Sequence, residues 1–502
     1  MMPAWLSRFL PIALLTAAAL WLRTADLGAR PMHADEANQA VKAGQLLEDG
    51  RYAFDPRDHH GPLLYYTLLP VAWVRGQRTL AALDEATVRL VPALAGTVSV
   101  VLLWLLAAPL GRWPALAAAA FLAASPPSVY YSRYFVQETL LVTATLGAML
   151  CAKSWWTTGR TRWAVALGVG LGLMQSTKES APLFVVGAVL ALLAIHLGPP
   201  GGKPGPVAGR SPPKVWRDLA LALGSALAVA ALFYSSFGAN PAGLLDALRT
   251  YPEQAARLGS GATGHEKPWW YFLWLFGWQR AGGLVFQQAG FAALAVAGLI
   301  AAILRPNPLL RWAAAYSLLI LLVHSAVAYK TPWLAIHLVP GFALLAAGAL
   351  ASVDREKLPV IAAAVVAAVV SGMLLIQTWR VTRTYAADAR NPFAYVHSSP
   401  DVRKYRALVE AARGRLPHEP VRVISEEYWP LPWYFRGLDG IGYWARVPED
   451  CDGSLVIASA GLADTVRSRL HGGYDEAFLG LRPGFVCVVF TPRKPEATRN
   501  GL

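Results

Sequence analysis

Long uncharged apolar runs alternate along this chain with short charged loops. Runs centred on 9–22, 91–111, 113–132, 139–155, 163–177, 180–197, 219–239, 283–304, 312–329, 332–353 and 358–379 approach membrane-crossing length and predict about eleven transmembrane helices. The first run is as apolar as a signal-peptide core. Arg23 closes it and no small-residue cleavage site follows, so it reads as a retained anchor. The pattern changes near Tyr385. Asp401 to Gly414 carries an apolar stripe at helical spacing through Val402, Tyr405, Leu408, Val409 and Ala412. Val421 to Ser425, Leu455 to Ser459 and Phe485 to Thr491 have the composition of buried strands, with a helix expected from about Leu462 to Leu470. The expected fold is an all-α polytopic membrane domain, residues 1–384, followed by a small α/β soluble domain, residues 385–502.

Composition supports the membrane reading. Of the 502 residues 55% are hydrophobic and only 15% charged, against about 25% charged in an ordinary soluble domain. The net charge of +14 does not point to nucleic acid, because the basic residues lie mainly in short loops between apolar runs. Lys153, Arg160, Arg162, Lys203, Arg210, Lys214, Arg217, Arg305, Arg311, Arg355 and Lys357 fall on one side, which the positive-inside rule makes cytoplasmic together with the N-terminus. The loops 23–90, 133–138, 178–179, 240–282 and 330–331, and everything after Trp379, then lie outside, at the plasma (inner) membrane of a cell envelope. The Gly- and Pro-rich stretch from Leu197 to Val215 reads as a flexible loop. Cys151 lies in an apolar run, whereas Cys451 and Cys487 fall in the soluble region, where an oxidising compartment would permit a disulfide.

This orientation gathers the charged residues nearest to span ends on one face. Asp35 and Glu36 follow the first span within the sequence Met-His-Ala-Asp-Glu-Ala. Taken alone, they are what any polar loop leaving the bilayer would show. Asp58, His59, His60, Arg133, Glu138, Lys178, Glu179 and Lys330 all join them outside. Their convergence points to a single site at the outer boundary.

The first outer loop is too long for a connector. From Glu36 to Leu47, Ala37, Ala40, Val41, Gly44 and Leu47 oppose Asn38, Gln39, Lys42 and Gln45, as in an amphipathic interfacial helix. Gly61 to Val74 is apolar but too short to span easily, and fits an interfacial or re-entrant segment opened by Pro62. His33, His59 and His60 near Asp35 and Asp58 are residue types that suit a divalent ion, zinc above all. They lack regular ligand spacing, and hydrogen bonding to a phosphate is the rival role, so a metal stays open and no other cofactor is implied. Arg133, set among Tyr130, Tyr131 and Tyr134, is either a snorkelling terminal arginine or a fork for phosphate. Lys178 and Glu179 divide two apolar runs, and Lys330 stands alone in its turn, with Trp333 and His337 following. The aromatic cluster Pro268 to Trp278 reads as an interfacial belt or as a groove for an isoprenoid tail. In the C-terminal region Glu426, Glu427, Tyr428 and Trp429 form either a solvated acidic loop or an acceptor-recognition surface.

Asp35-Glu36 after the first span, His60-Gly61-Pro62-Leu63 later in the same loop, and the many outward sites together resemble the GT-C superfamily of membrane glycosyltransferases. The nearest branches are the protein O-mannosyltransferases and the aminoarabinose transferases. Tyr329-Lys330-Thr331-Pro332-Trp333, Ser176-Thr177-Lys178-Glu179 and Trp429-Pro430-Leu431-Pro432-Trp433-Tyr434 are similar to the prokaryotic branch called "flippase activity-associated protein". The resemblance covers most of the chain. It implies a polyprenyl-phosphate sugar donor used at the extracytoplasmic face, inversion at the anomeric carbon, and Asp35 as general base. Glu36 would position Asp35 or bind the acceptor. Arg133, Lys178, Lys330, His59 and His60 would bind the donor phosphate, and Asp58, Glu138, Glu179, Tyr131, Trp333 and His337 would line the substrate site. The sequence departs at Gly61, where the O-mannosyltransferases carry proline, and the aminoarabinose branch prefers a lysine nearby.

The resulting expectation is an integral-membrane glycosyltransferase acting on a glycan, lipid or protein acceptor. The alternative is a lipid-linked-sugar flippase, or an accessory protein that binds the donor without transferring it. An ion-coupled transporter would need charges in mid-span, and the sequence has very few.

Overall fold

A computed structural model describes residues 4–58, 60–197, 211–259, 264–305, 307–352 and 360–493. His59 and most of the expected flexible loop, 198–210, lie outside the described residues. In chain order the helices are α1 (Ala4–Thr24), α2 (Ala34–Asp49), α3 (Leu63–Val74), α4 (Glu85–Ala107), α5 (Arg112–Ala124), α6 (Pro126–Tyr131), α7 (Gln137–Thr158), α8 (Thr161–Thr177), α9 (Ala181–Leu197) and α10 (Pro212–Tyr234). They continue with α11 (Gly243–Gly259), α12 (Tyr271–Phe276), α13 (Ala289–Leu304), α14 (Pro308–Ala326), α15 (Val339–Ala351), α16 (Val360–Trp379), α17 (Lys404–Arg415), α18 (Leu431–Tyr434) and α19 (Ala463–Arg469). Each of the eleven apolar runs holds one principal helix: α1, α4, α5, α7 to α10 and α13 to α16. Among the described residues, five segments are by themselves long and apolar enough to cross a bilayer.

The soluble layer is a five-stranded sheet of order β4-β3-β5-β7-β6, from β3 (Val421–Ile424), β4 (Ile441–Trp444), β5 (Leu455–Ser459), β6 (Tyr474–Arg482) and β7 (Phe485–Pro492). β3 runs parallel to β4 and β5, whereas β7 pairs antiparallel with β5 and β6. Alternate side chains of a strand point to opposite faces. Val421, Val423, Leu455, Ile457, Cys487 and Val489 therefore enter one core, and Ile424, Val456, Ala458, Val488 and Phe490 the other. Burial on both faces explains why these three strands read as continuous apolar runs.

The first of those cores is shared with the loop after α1. Met32, Ala37, Ala40, Leu46, Leu64 and Leu68 pack in one cluster with Leu431, Trp433 and Tyr434. The Tyr434 hydroxyl accepts from the Met32 amide at 3.0 Å, and Trp433 Nε1 donates to Glu85 at 3.0 Å. Polar residues of α2 are consequently enclosed along with its alanines. Gln39, expected on the wet face, accepts from Tyr65 and from Gln137 Nε2, the latter at 2.9 Å.

Several local features differ from the sequence pattern. The start of the expected 283–304 run forms a hairpin, β1 (Trp278–Ala281) with β2 (Leu284–Gln287), and the helix begins only at Ala289. Gly282 and Gly283, at φ +50° and +78°, provide the left-handed pair that a tight hairpin turn requires. Strands β4 and β6 were also missed: β4 is only half-buried and β6 is mostly exposed at the sheet edge, so neither reads as a buried apolar run. Cys451 and Cys487 are free thiols, as is Cys151. The two soluble-layer cysteines belong to the cores on opposite faces of the sheet, which keeps them from pairing.

Candidate active site

The Asp35–Glu36 pair opens helix α2, and its two carboxylates have opposite surroundings. Glu36 is fully buried. Its Oε1 accepts from Arg89 Nε at 2.8 Å and from the Phe135 amide at 3.1 Å; its Oε2 accepts from Arg89 Nη2 at 2.9 Å and from the His33 amide at 3.1 Å. Arg30 Nη2 adds bonds at 3.1 and 3.2 Å to the two oxygens. Burial alone would raise this carboxyl. The Arg89 and Arg30 charges and the hydrogen bonds outweigh it and hold the group at about 2. Glu36 thus ties α2, α4 and the segment before α7 together.

His33 supplies the other half of a capping box. Its Nδ1 accepts the Asp35 amide at 3.1 Å, and its Nε2 lies 3.1 Å from the Tyr395 carbonyl. A carbonyl only accepts, so the two bonds together require a ring protonated at Nε2. Asp35, held at the helix N-terminus, keeps its carboxylate 53% exposed and 3.9 Å from His33 Nδ1. It is the motif carboxylate that a substrate can reach.

Basic and acidic partners surround this point. Helix α8 stops at Thr177, and Lys178 takes an extended conformation. Lys178 Nζ lies 2.6 Å from Glu138 in the first turn of α7, and both are buried. Burial works against the Lys178 charge, yet Glu138 and Glu179 raise its pKa. Glu179 accepts from His60 at 3.0 Å; His60 and Lys178 overcome its burial and bring it down to about 2. Asp58 accepts from Lys42 at 2.8 Å. The Tyr329 hydroxyl is raised first by burial, with Asp35, Glu138 and Lys178 all near enough to act on it electrostatically. One glycine makes this convergence possible. A Cβ on Gly61 would stand 2.3 Å from the Ser176 carbonyl, so only glycine lets the start of α3 meet the end of α8 and set His60 beside Glu179. The departure from proline at that position has a steric cause.

Other residues from the sequence pattern are engaged elsewhere. Arg133 donates to the carbonyls of Leu22, Arg23, Ala25 and Asp26 at 2.7 to 3.3 Å, and so caps the end of α1. Lys330 Nζ is buried against the carbonyls of Lys267, at 3.1 Å, and Val327. Tyr131 is buried and donates to Phe393 O at 2.9 Å. His337 stacks on Phe184, with centroids 4.4 Å apart. Trp333 is half-buried and forms part of an aromatic wall around the cap, its ring 6.2 Å from His33 and 6.1 Å from Tyr395. Arg30, Arg89, Lys42 and Tyr395 are the residues that sequence reasoning passed over. Arg89 was detectable, because an arginine in the second turn of an apolar helix needs a partner. Among the described residues no three His, Cys, Asp or Glu side chains are arranged to hold a metal ion; His60 and Glu179 pair with each other instead.

The chain joins a helical bundle to an α/β layer docked on the loop after α1. The profile of the dolichyl-phosphate-mannose-protein mannosyltransferase family matches residues 62–202. No curated protein matches the chain. Among solved structures, ArnT from Cupriavidus metallidurans in the apo state aligns at TM-score 0.65 and 16% identity, covering 95% of this chain and 97% of that one. The same protein bound to undecaprenyl phosphate aligns at 0.65 and 14% over the same shares. The oligosaccharyltransferase AglB from Archaeoglobus fulgidus, in complex with an inhibitory peptide and a dolichol-phosphate, aligns at 0.53 and 13%, covering 92% of this chain and 70% of that one. The chain is thus similar to that mannosyltransferase family over residues 62–202 and shares its fold with these solved structures.

Proposed function

We propose that this chain transfers a sugar from a polyprenyl-phosphate-linked donor to an extracytoplasmic acceptor, with Asp35 as general base. The observation that carries the reading is the division of labour at α2: Glu36 is locked as a structural anion, and Asp35 beside it is open and fixed in place, with Tyr329 near enough to feel both Asp35 and Lys178. Asp35 takes the proton from an acceptor hydroxyl or amine as its O or N bonds to the anomeric carbon. The bond from that carbon to the phosphate oxygen breaks, and its electron pair stays on the lipid phosphate. A single in-line displacement of this kind inverts the anomeric centre. Lys178 and His60 meet the charge growing on the phosphate, each already balanced by a carboxylate that a bound donor would share. Lys330 shapes its turn, and Arg133 frames α1 without joining this cluster. That proteins of the same fold have been solved with undecaprenyl phosphate and with dolichol-phosphate supports the choice of a polyprenyl-phosphate donor. On this reading residues 1–384 form the catalytic unit at the plasma membrane, with the N-terminus cytoplasmic. Residues 385–502 sit outside and hold α2 against the bundle.

The test gives purified protein a polyprenyl-phosphate hexose together with a cell-envelope extract as acceptor source. Labelled sugar should appear in the acceptor fraction. Tight donor binding by the wild-type protein with no transfer to any fraction would instead identify a donor-binding flippase accessory.

A further inference from the structure

A cavity of about 610 Å³ lies between the end of α1, the turn after α16 and the start of the soluble layer. Asp35, His60, Lys178 and Lys330 do not line it. Its walls include Arg30, Arg89, Arg133, Arg383 and Arg403, set against Asp26 and Asp388. Even with Glu36 behind the wall, guanidinium charge is in excess. The arginines differ in what they have to spare. Arg89 and Arg133 are committed to Glu36 and to backbone carbonyls. Arg30 keeps a buried Nε with no partner. Arg383 uses Nη1 on Asp26 at 2.5 Å, and Arg403 uses Nη2 on the carbonyls of Gly28 and Ala29, at 2.6 and 3.0 Å. Burial first, and then the neighbouring Arg383, Arg30 and Arg89 charges, depress Arg133 to about 9.

The backbone here is unusual as well. Arg380–Thr384 form a π-helical turn that continues α16 and brings Arg383 to the cavity. Asp26, opposite, holds a left-handed φ of +51°. The bilayer side of the cavity is apolar. Trp21 of α1 and Trp379 of α16 stack at 6.3 Å, both largely exposed, and the Arg383 guanidinium lies 5.6 Å from the Trp379 ring. Leu20, Met373 and Ile376 extend this exposed face along the two helices.

We propose that this cavity binds the phosphate headgroup of an anionic glycerophospholipid from the leaflet on the Asp35 side, with the acyl chains lying over Trp21 and Trp379. Arginine forks suit phosphate oxygens, and the stacked indoles sit where aromatic residues meet the interface. The occupant is a bound membrane lipid, separate from the sugar donor. It would brace α1 against α16 behind the α2 cap.

Native mass spectrometry of the full chain in detergent tests this. Phosphatidylglycerol is titrated against phosphatidylcholine, undecaprenyl phosphate and sodium phosphate. The expected result is one retained phosphatidylglycerol, bound at least tenfold more tightly than phosphatidylcholine and not displaced by 10-fold excess sodium phosphate. The double variant Arg383→Gln/Arg403→Gln should lower that affinity at least tenfold. Asp26→Asn, which frees Arg383, should raise it, so a folding defect in the double variant cannot imitate the whole pattern. Asp35→Asn should leave it unchanged. Equal binding of phosphatidylcholine, or unchanged affinity in both cavity variants, overturns the proposal. Displacement by undecaprenyl phosphate, or loss of binding in Asp35→Asn, also overturns it, by making this cavity part of the donor site.

Discussion

Replacing Glu36 by glutamine separates the frame from the chemistry. The carboxylate is fully buried and accepts from Arg89, Arg30 and two backbone amides. Its folded value of about 2 lies some 2.5 units below the ordinary 4.5, which corresponds to about 3 kcal/mol at neutral pH. Removing one partner of a buried ion pair gives about 3–5 kcal/mol by a separate route. Arg30 and Arg89 keep their bonds to backbone carbonyls, which favours the lower end. The folded pKa is depressed, so this stability is complete above about pH 4.5 and is lost as pH falls from there towards 2. Wild-type protein should therefore lose stability steeply over that acid window. Glu36→Gln should begin about 3 kcal/mol less stable at pH 7 and show a shallower acid dependence. Denaturant melts of the purified protein between pH 3 and pH 7 measure both. A Glu36→Gln protein with wild-type stability but no transfer would refute the reasoning, because it would make Glu36 a reacting group.

Gly61→Ala places a Cβ 2.3 Å from the Ser176 carbonyl; a loss of about 1–3 kcal/mol is expected, with weaker donor affinity as His60 leaves Glu179, read by melting and donor titration. Lys178→Met strands the buried Glu138 and should cost about 3–5 kcal/mol. Adding Glu138→Leu should restore much of that stability without restoring transfer. If the double variant transfers normally, Lys178 has no part in holding the leaving phosphate. Asp58→Asn removes the exposed carboxylate that sits 2.8 Å from the enclosed Lys42 ammonium; stability should fall by about 1–3 kcal/mol, and an unchanged melt would show that Lys42 does not depend on Asp58.

The bundle was legible because each span is a long apolar run, and the buried strands because both their faces are covered. The hairpin of β1 and β2 was hidden by its own hydrophobicity: Leu284, Val285 and Phe286 extend the apolar run of α13, and only the Gly-Gly pair marks a turn. At the site, the sequence pattern grouped His60, Glu138, Lys178 and Glu179, which the structure joins in pairs. It could not assign which cation meets which anion, since the partners lie as far as 119 positions apart, as His60 and Glu179 do. Arg133 looked like a phosphate fork, but the free carbonyls at the end of α1 claim it. Glu36 was expected to position Asp35 or to bind the acceptor; the burial and the Arg89 and Arg30 bonds that distinguish it from Asp35 come from residues distant in the chain or unpaired in the sequence pattern. Lys42, read as part of a wet helix face, is enclosed and paired with Asp58.

The most direct measurement compares Asp35→Asn with wild type at saturating polyprenyl-phosphate sugar, following both transfer and donor binding. Asparagine keeps the size and the cap but cannot accept the proton. The account predicts a transfer rate lowered by about 10²–10⁴-fold, with donor affinity and stability unchanged. Transfer by Asp35→Asn at the wild-type rate would contradict it.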